Sequence, residues 1–485
     1  VIMHAFRFVR VRRHWICSSV VAAALILVAC KPSSLIDVQS PSTVVDPSQV
    51  KTPTGATQLR NTAIATMMSS MGQGWNSVIV MSGTLTDELQ DPYYIGRTGD
   101  DRNVLGTTGT DNRNAQGFGY GGFQNTRVVI RQALQALQQY VPDGTSGVPR
   151  AWQGELYALQ GYTVTWLAEL YCSGIPLSQS SLNGAQIPTR GLHTDELFNA
   201  AIALFDSAMV VGADSAQYVN LARVGKARAL LNLGQFAAAD SVIQNVPLDF
   251  VYFVRSNVSG NYGFDLATGD VPNGAQRVQD REGGNGLVWS TDPRTAVVTV
   301  PGLSGSMLWP SKYNIDPSTG QPDPTTPRYG VPVRLADGLE ARLIQAEAAL
   351  ARGDASWLTT LNMLRATCVG TAACAPRFGI TSAQLPPLND PGAATRLDTL
   401  MKERAMWLYL TGHREGDLRR MAHVYNRNPN TLWPTGIMSE PAYPDLFPHI
   451  GTENGVRYGT DVVYGPDVNE RARNPLYGGC YDTNP

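Results

Sequence analysis

Charge is scarce in this chain. Asp, Glu, Lys and Arg make up 16% of 485 residues, against about 25% in an average soluble protein. Only five of its 38 basic residues are Lys: Lys31, Lys51, Lys226, Lys312 and Lys402. A disordered chain shows the opposite balance, so a 43% hydrophobic content excludes disorder for most of the length. The formal net charge of −2 leaves no electrostatic case for nucleic acid, which needs clustered positive charge to displace counterions. Histidine is sparse and scattered singly beyond the first residues, at His193, His413, His423 and His449, and no Cys-x-x-Cys pair occurs. No metal site is expected on that pattern. Gly-x-Ser-x-Gly, His-Glu-x-x-His and Cys/His nucleophile arrangements are also missing, so neither catalysis nor a cofactor is expected. Punctuation is abundant instead: 47 Gly and 31 Pro imply much loop. The length suits two to four domain-sized units or one large repeat architecture.

A single segment, from about Trp15 to Ala29, is apolar enough to approach a membrane, and Arg7, Arg10, Arg12 and Arg13 precede it. It is shorter than the roughly 20 residues a spanning helix needs. It ends in Leu27-Val28-Ala29-Cys30, which resembles the lipobox of bacterial lipoprotein signal peptides. That resemblance implies a signal peptide over 1–29 and an acylated Cys30 as first mature residue, held to lipid by more than one chain. An uncleaved anchor or a plain secretory signal is the alternative. Residues 30–52, rich in Ser, Pro, Val and Asp, read as a tether. Of the six Cys, cleavage removes Cys17 and lipidation consumes Cys30. The remaining four allow three pairings in an oxidising setting. Cys368 and Cys374 bracket a short turn, so Cys368–Cys374 and Cys172–Cys480 are expected.

Helical periodicity begins near Thr54, with Leu59, Ala63, Ile64, Met67, Met68 and Met71 on one face. A polar, Gly-rich stretch follows from Gly72 to Gly122. Helices are predicted over 124–141, 150–172, 194–211 and 216–233, then over 337–352, 355–367, 396–410 and 414–423. Around Gly234 a helix stops and Phe236 precedes Ala239 by three residues, similar to the joint in tetratricopeptide repeats. Ala348 to Gly353, followed by Trp357, repeats the theme. No strict 34-residue period survives, so an irregular helical bundle is the alternative. Residues 247–335 change to Pro, Gly, Asp and aromatics, with a β-like run at Thr295–Val300. So long a non-helical stretch is no passive connection and should be a functional excursion. The tail from Asn426 reads as coil.

Three constellations remain. Gly117-Phe118-Gly119-Tyr120-Gly121-Gly122 matches the dinucleotide fingerprint in letters, but polar loop precedes it where a strand is required. Asp87, Glu88, Asp91, Asp100 and Asp101 form an acidic cluster lacking the central Gly of a calcium loop, and a solvated loop is expected. A facing carboxylate pair for glycoside hydrolysis is not readable from sequence. Trp152, Trp166, Trp357 and Trp407 lie in predicted helices and are expected in the core. Trp75, Tyr93, Tyr94, Trp289, Trp309 and Tyr313 sit in polar, Gly/Pro-rich segments. Aromatic faces stack on the C–H faces of sugar rings, so these six are candidate ligand contacts; stapling loops to the scaffold is their other reading.

The order of helices behind a lipobox resembles the SusD/RagB family of nutrient-binding lipoproteins. Leu339-Glu-Ala-Arg-Leu-Ile-Gln-Ala-Glu347-Ala and Leu361-Asn-Met-Leu-Arg365 carry part of the likeness. Glu403-Arg404 followed by Gly412-His413-Arg414-Glu-Gly-Asp417-Leu-Arg419-Arg420 carries the most specific part. Thr411, Glu415 and Gly416 depart from the family pattern. The resemblance implies a mainly α, SusD-like fold: a divergent TPR-like helical scaffold (53–73, 124–246, 336–425) with ligand-side excursions at 74–123 and 247–335 and a tail at 426–485. It implies a glycan or peptide ligand, most simply an oligosaccharide. It also implies a SusC-like TonB-dependent barrel as partner and an outer-membrane location facing the cell exterior, with no enzymatic activity. A surface glycoside hydrolase and a TPR-type assembly scaffold are the competing classes. Glu403, Arg404, Arg414, Asp417 and Arg420 lie at helical spacings around a Gly break, suited to a structural charge network rather than catalysis.

Overall fold

The small residues of the third long helical segment explain how the scaffold packs. In the computed structural model this segment is the helix Ala151–Leu170, in which every residue except Trp152 and Tyr157 is buried. A helix buried all round belongs at the centre of its fold. The model describes residues 51–72, 76–89, 102, 104–105, 119–142, 149–180, 186–254, 278, 284, 286–295, 297–302, 305–310, 333–368, 385–436, 458–467 and 469–484. The lipobox, with Cys17 and Cys30, lies outside them.

The helices are α1 (Pro53–Gly72), α2 (Val78–Leu85), α3 (Tyr120–Tyr140), α4 (Ala151–Leu170), α5 (Thr194–Val211), α6 (Ala216–Asn232), α7 (Phe236–Ile243), α8 (Gly338–Ala351), α9 (Ser356–Thr367), α10 (Arg396–Trp407), α11 (Arg414–His423) and the short α12 (Glu470–Arg473). Helices α3 to α9 pack as successive neighbours, α1 lies on α3, α10 packs on α8, and α11 packs on α2, α4 and α6. The mainly α, TPR-like expectation holds. At the α4–α5 crossing, a Cβ on Gly154 would stand 2.5 Å from the Cα of Gly212, so only glycine permits this approach. Helices α6 and α8 stop at Gly234 and Gly353, whose φ values of +71° and +74° suit a residue without Cβ. Asp337 starts α8 by accepting the Glu340 amide at 2.8 Å. Helix α2 was not foreseen, because its eight residues, all buried, make too short a run to show a helical period.

Strands are few and two-stranded. Ile175–Pro176 (β1) pairs with Gly191–Leu192 (β4), and Gln179–Ser180 (β2) with Gln186–Ile187 (β3). The predicted excursion is closed at its base by β5 (Val251–Val254) antiparallel to β8 (Val333–Asp337). Within it, β6 (Val297–Gly302) and β7 (Gly305–Pro310) form a hairpin. The tail, read as coil, is fastened. Cys172 and Cys480 form a disulfide across 308 residues, and Ser173 and Tyr481 exchange backbone hydrogen bonds with the opposite segment. Arg102 donates to the carbonyls of Pro434, Thr460 and Asp461. Cys368 is also disulfide-bonded; Cys374, its expected partner, lies outside the described residues. Among the described residues no helix is long and apolar enough to cross a membrane.

Candidate functional site

Helix α1 has two unlike faces. Ala63, Met67, Met68 and Met71 are buried, while Asn61, Thr62, Ala65, Thr66, Ser69 and Ser70 line a groove of about 620 Å³. Gly122, Asn125 and Thr126 of α3 form the opposite wall, and Asn76 closes one end. Short side chains keep the groove open, and a Cβ on Gly122 would meet nothing within 4 Å. Thr62 donates its hydroxyl to the Gln58 carbonyl at 3.0 Å, and Thr66 to the Thr62 carbonyl at 2.8 Å. Their hydroxyl protons are thus engaged within the helix, leaving oxygen lone pairs as acceptors. Ser70 and Thr126 share a hydrogen bond of 2.7 Å. The buried Oδ1 of Asn76 has no hydrogen-bond partner. Among the described residues no lining side chain carries a charge, and this surface can match hydroxyls and amides. Residues Asn76 and Gly122 also bracket the expected 74–123 ligand-side excursion, so the groove sits at its base.

The expected aromatic platform fares differently. Trp289 is fully buried, 0% exposed, with its ring 4.9 Å from that of Tyr409 and the Arg414 guanidinium 5.8 Å from its centroid. It is a core residue and not an exposed stacking surface. Its polar neighbourhood misled because Arg294, five residues on, is drawn inward by Glu403 at 2.7 Å. Trp309 lies on β7 opposite Val298. Trp75, Tyr93, Tyr94 and Tyr313 lie outside the described residues, as do Asp91, Asp100 and Asp101. The groove residues were missed because they match no motif. Their signal was the run of small polar residues at helical spacing opposite the Met face of α1.

The charged signature forms buried contacts, with partners that the local spacing did not reveal. Asp417 accepts from Arg404 at 2.9 Å and from Arg420 at 2.8 Å. Arg420 also meets Glu347 at 2.7 Å. Glu403 binds Arg294 and Arg365, each at 2.7 Å. Arg414 pairs with Asp87 at 2.9 Å, not with Asp417. The reading of Asp87 and Glu88 as solvated loop is therefore corrected: they are 6% and 1% exposed, and Glu88 accepts the Leu410 amide at 3.0 Å. Burial would raise the Asp417 carboxyl, but Arg404 and Arg420 outweigh it and hold that group well below the usual range. For Glu415 burial outweighs the nearby Arg419 and Arg102 and pushes it up to about 8. Its Oε2 accepts from the Trp433 indole at 2.9 Å. Among the described residues no cluster of three His, Cys, Asp or Glu could hold a metal ion.

No protein-family model and no curated relative matches the sequence. Solved structures do match. A SusD/RagB family protein from Bacteroides thetaiotaomicron aligns with a TM-score of 0.56 at 14% identity, over 88% of this chain and 97% of the other. NanU of Bacteroides fragilis gives 0.58 at 13% identity, over 91% and 99%. The surface glycan-binding protein A of Bacteroides uniformis gives 0.52 at 13% identity, over 88% and 99%. This overlap leads to one conclusion: the chain has the fold of the SusD/RagB proteins it matches.

Proposed function

We propose that this protein captures an oligosaccharide at the cell surface and passes it to a SusC-like TonB-dependent barrel, without chemistry of its own. The observation that carries this reading is the uncharged, hydroxyl- and amide-lined groove between α1 and α3 on a SusD-like scaffold. Sugar hydroxyls need donors and acceptors at close spacing, and Asn61, Asn76 and Asn125 supply both. Trp75, adjacent in sequence to Asn76, is the first choice for a stacking wall; Tyr93, Tyr94, Trp309 and Tyr313 follow, and the buried Trp289 is withdrawn. Acylation of Cys30 would place the domain on the outer membrane, and mass spectrometry should find a mature chain beginning there.

Titration of soluble oligosaccharides and peptides against the purified protein tests the ligand assignment. An oligosaccharide should bind, and Asn76→Ala or Asn125→Ala should weaken it about tenfold, the loss of one to two good hydrogen bonds, with melting temperature unchanged. Unaltered affinity in both variants would remove the groove from the site. Hydrolysis of the bound glycan would reject the non-enzymatic reading.

A further inference from the structure

Glycine inside a helix commonly answers to a special backbone angle or to a close neighbour. Gly154, Gly161 and Gly225 do: a Cβ on each would stand 2.5 Å from Gly212, 2.7 Å from Phe205 and 2.4 Å from Phe205. Gly122, in the first turn of α3, answers to neither. Its φ lies outside the left-handed region, and a Cβ there would meet nothing within 4 Å. Glycine is a poor helix former, so the fold gains nothing here that alanine would not give. What Gly122 does face is the α1–α3 groove. One turn further along α3, Thr126 is tied to Ser70 of α1 at 2.7 Å, so Gly122 stands one turn from a point where the two helices touch. In the same groove the buried Oδ1 of Asn76 lacks a hydrogen-bond partner and can accept a hydroxyl proton.

We propose that Gly122 sets a size limit on the ligand of this groove: a bound sugar ring lies directly against the α3 backbone at that position, in the space a side chain would take. This rests on the oligosaccharide reading above and adds to it a point of contact and a steric rule. Discrimination at Gly122 is by bulk and not by polarity, because glycine offers the ligand no side-chain group. Polar matching falls to the asparagines, and the glycine supplies close approach.

The test titrates cellohexaose, maltohexaose and xylohexaose against the purified full chain, then repeats the tightest of them with variants. Gly122→Ala and Gly122→Ser each add one small group and should weaken binding alike, by about tenfold, as overpacking does. Gly122→Leu should abolish it. The ligand-free Gly122→Ala protein should melt at or above the wild-type temperature, since alanine favours the helix and clashes with nothing. Gly121→Ala is the control: Gly121 is exposed, and a Cβ there also meets open space, so affinity should not change. The proposal is overturned if Gly122→Ala or Gly122→Leu binds as tightly as wild type, if Gly122→Ser binds as tightly as wild type, if Gly121→Ala weakens binding equally, or if Gly122→Ala melts below wild type. Weakening by Asn76→Ala and Asn125→Ala without weakening by Gly122→Ala would reject the size limit and leave the groove as the sugar site. Failure of all three hexaoses to bind would reject the groove reading and the size limit with it.

Discussion

Asp417 neutralises two buried cations at once, Arg404 and Arg420, so its removal strands charge rather than merely deleting a contact. Breaking a buried pair in this way costs about 3–5 kcal/mol. Asp417→Ala should therefore lower the melting temperature steeply while leaving oligosaccharide affinity intact in the folded fraction; a melt within 1 °C of wild type would refute that. Because the folded carboxyl is depressed, its stabilisation is present above the unfolded value and is lost as pH falls through the folded one. Glu415 has the opposite sign. Its folded value is raised from 4.5 to about 8, so its contribution is complete below 4.5 and is lost as pH rises through 8. The slope from one such proton approaches about 1.4 kcal/mol per pH unit. Stability measured by denaturant between pH 5 and 8 should fall less in Glu415→Gln than in wild type. Parallel curves would show that Glu415 does not titrate in this window.

At the level of elements, the glycine joints separate two kinds of constraint. Gly353 has φ +74° but open space around a would-be Cβ. Gly353→Ala should then cost only the left-handed backbone term, about 1–2 kcal/mol, and Gly353→Asn less. Gly154 is helical, with backbone 2.5 Å from its would-be Cβ. Gly154→Ala must push α4 and α5 apart, so it should destabilise more than Gly353→Ala in denaturant melts. The reverse order would mean that the α4–α5 crossing relaxes freely. Most helices were legible because their apolar residues recur near 3.6, and α6 and α8 also stop at glycine. Helix α2 was not, since eight buried residues make too short a run to show a helical period, whereas the similarly buried α4 runs for 20 residues.

Across the whole molecule, the Cys172–Cys480 disulfide joins the end of α4 to the tail. Closing so long a loop limits the unfolded chain, and the entropy model sets its contribution at about 5 kcal/mol at most. Cys172→Ser with Cys480→Ser should lower unfolding stability by up to that amount and expose the tail to proteolysis first. Equal stability of oxidised and doubly substituted protein would show that the Arg102 contacts and the Tyr171–Tyr464 packing, with ring centroids 6.1 Å apart, suffice to hold the tail.

Sequence by itself determined the local features: which long segments are helical and where glycine stops α6 and α8. Each follows from neighbours a few residues apart, where periodicity and backbone preference act. Tertiary structure decided the rest. Arg414 meets Asp87 across 327 residues, and Trp289, in a segment that looks exposed in sequence, is buried against Tyr409. The uncharged groove arises only when the polar face of α1 meets α3. Contacts of this kind depend on how helices pack in three dimensions, and the period of a single helix shows which face is polar but not what will stand opposite it.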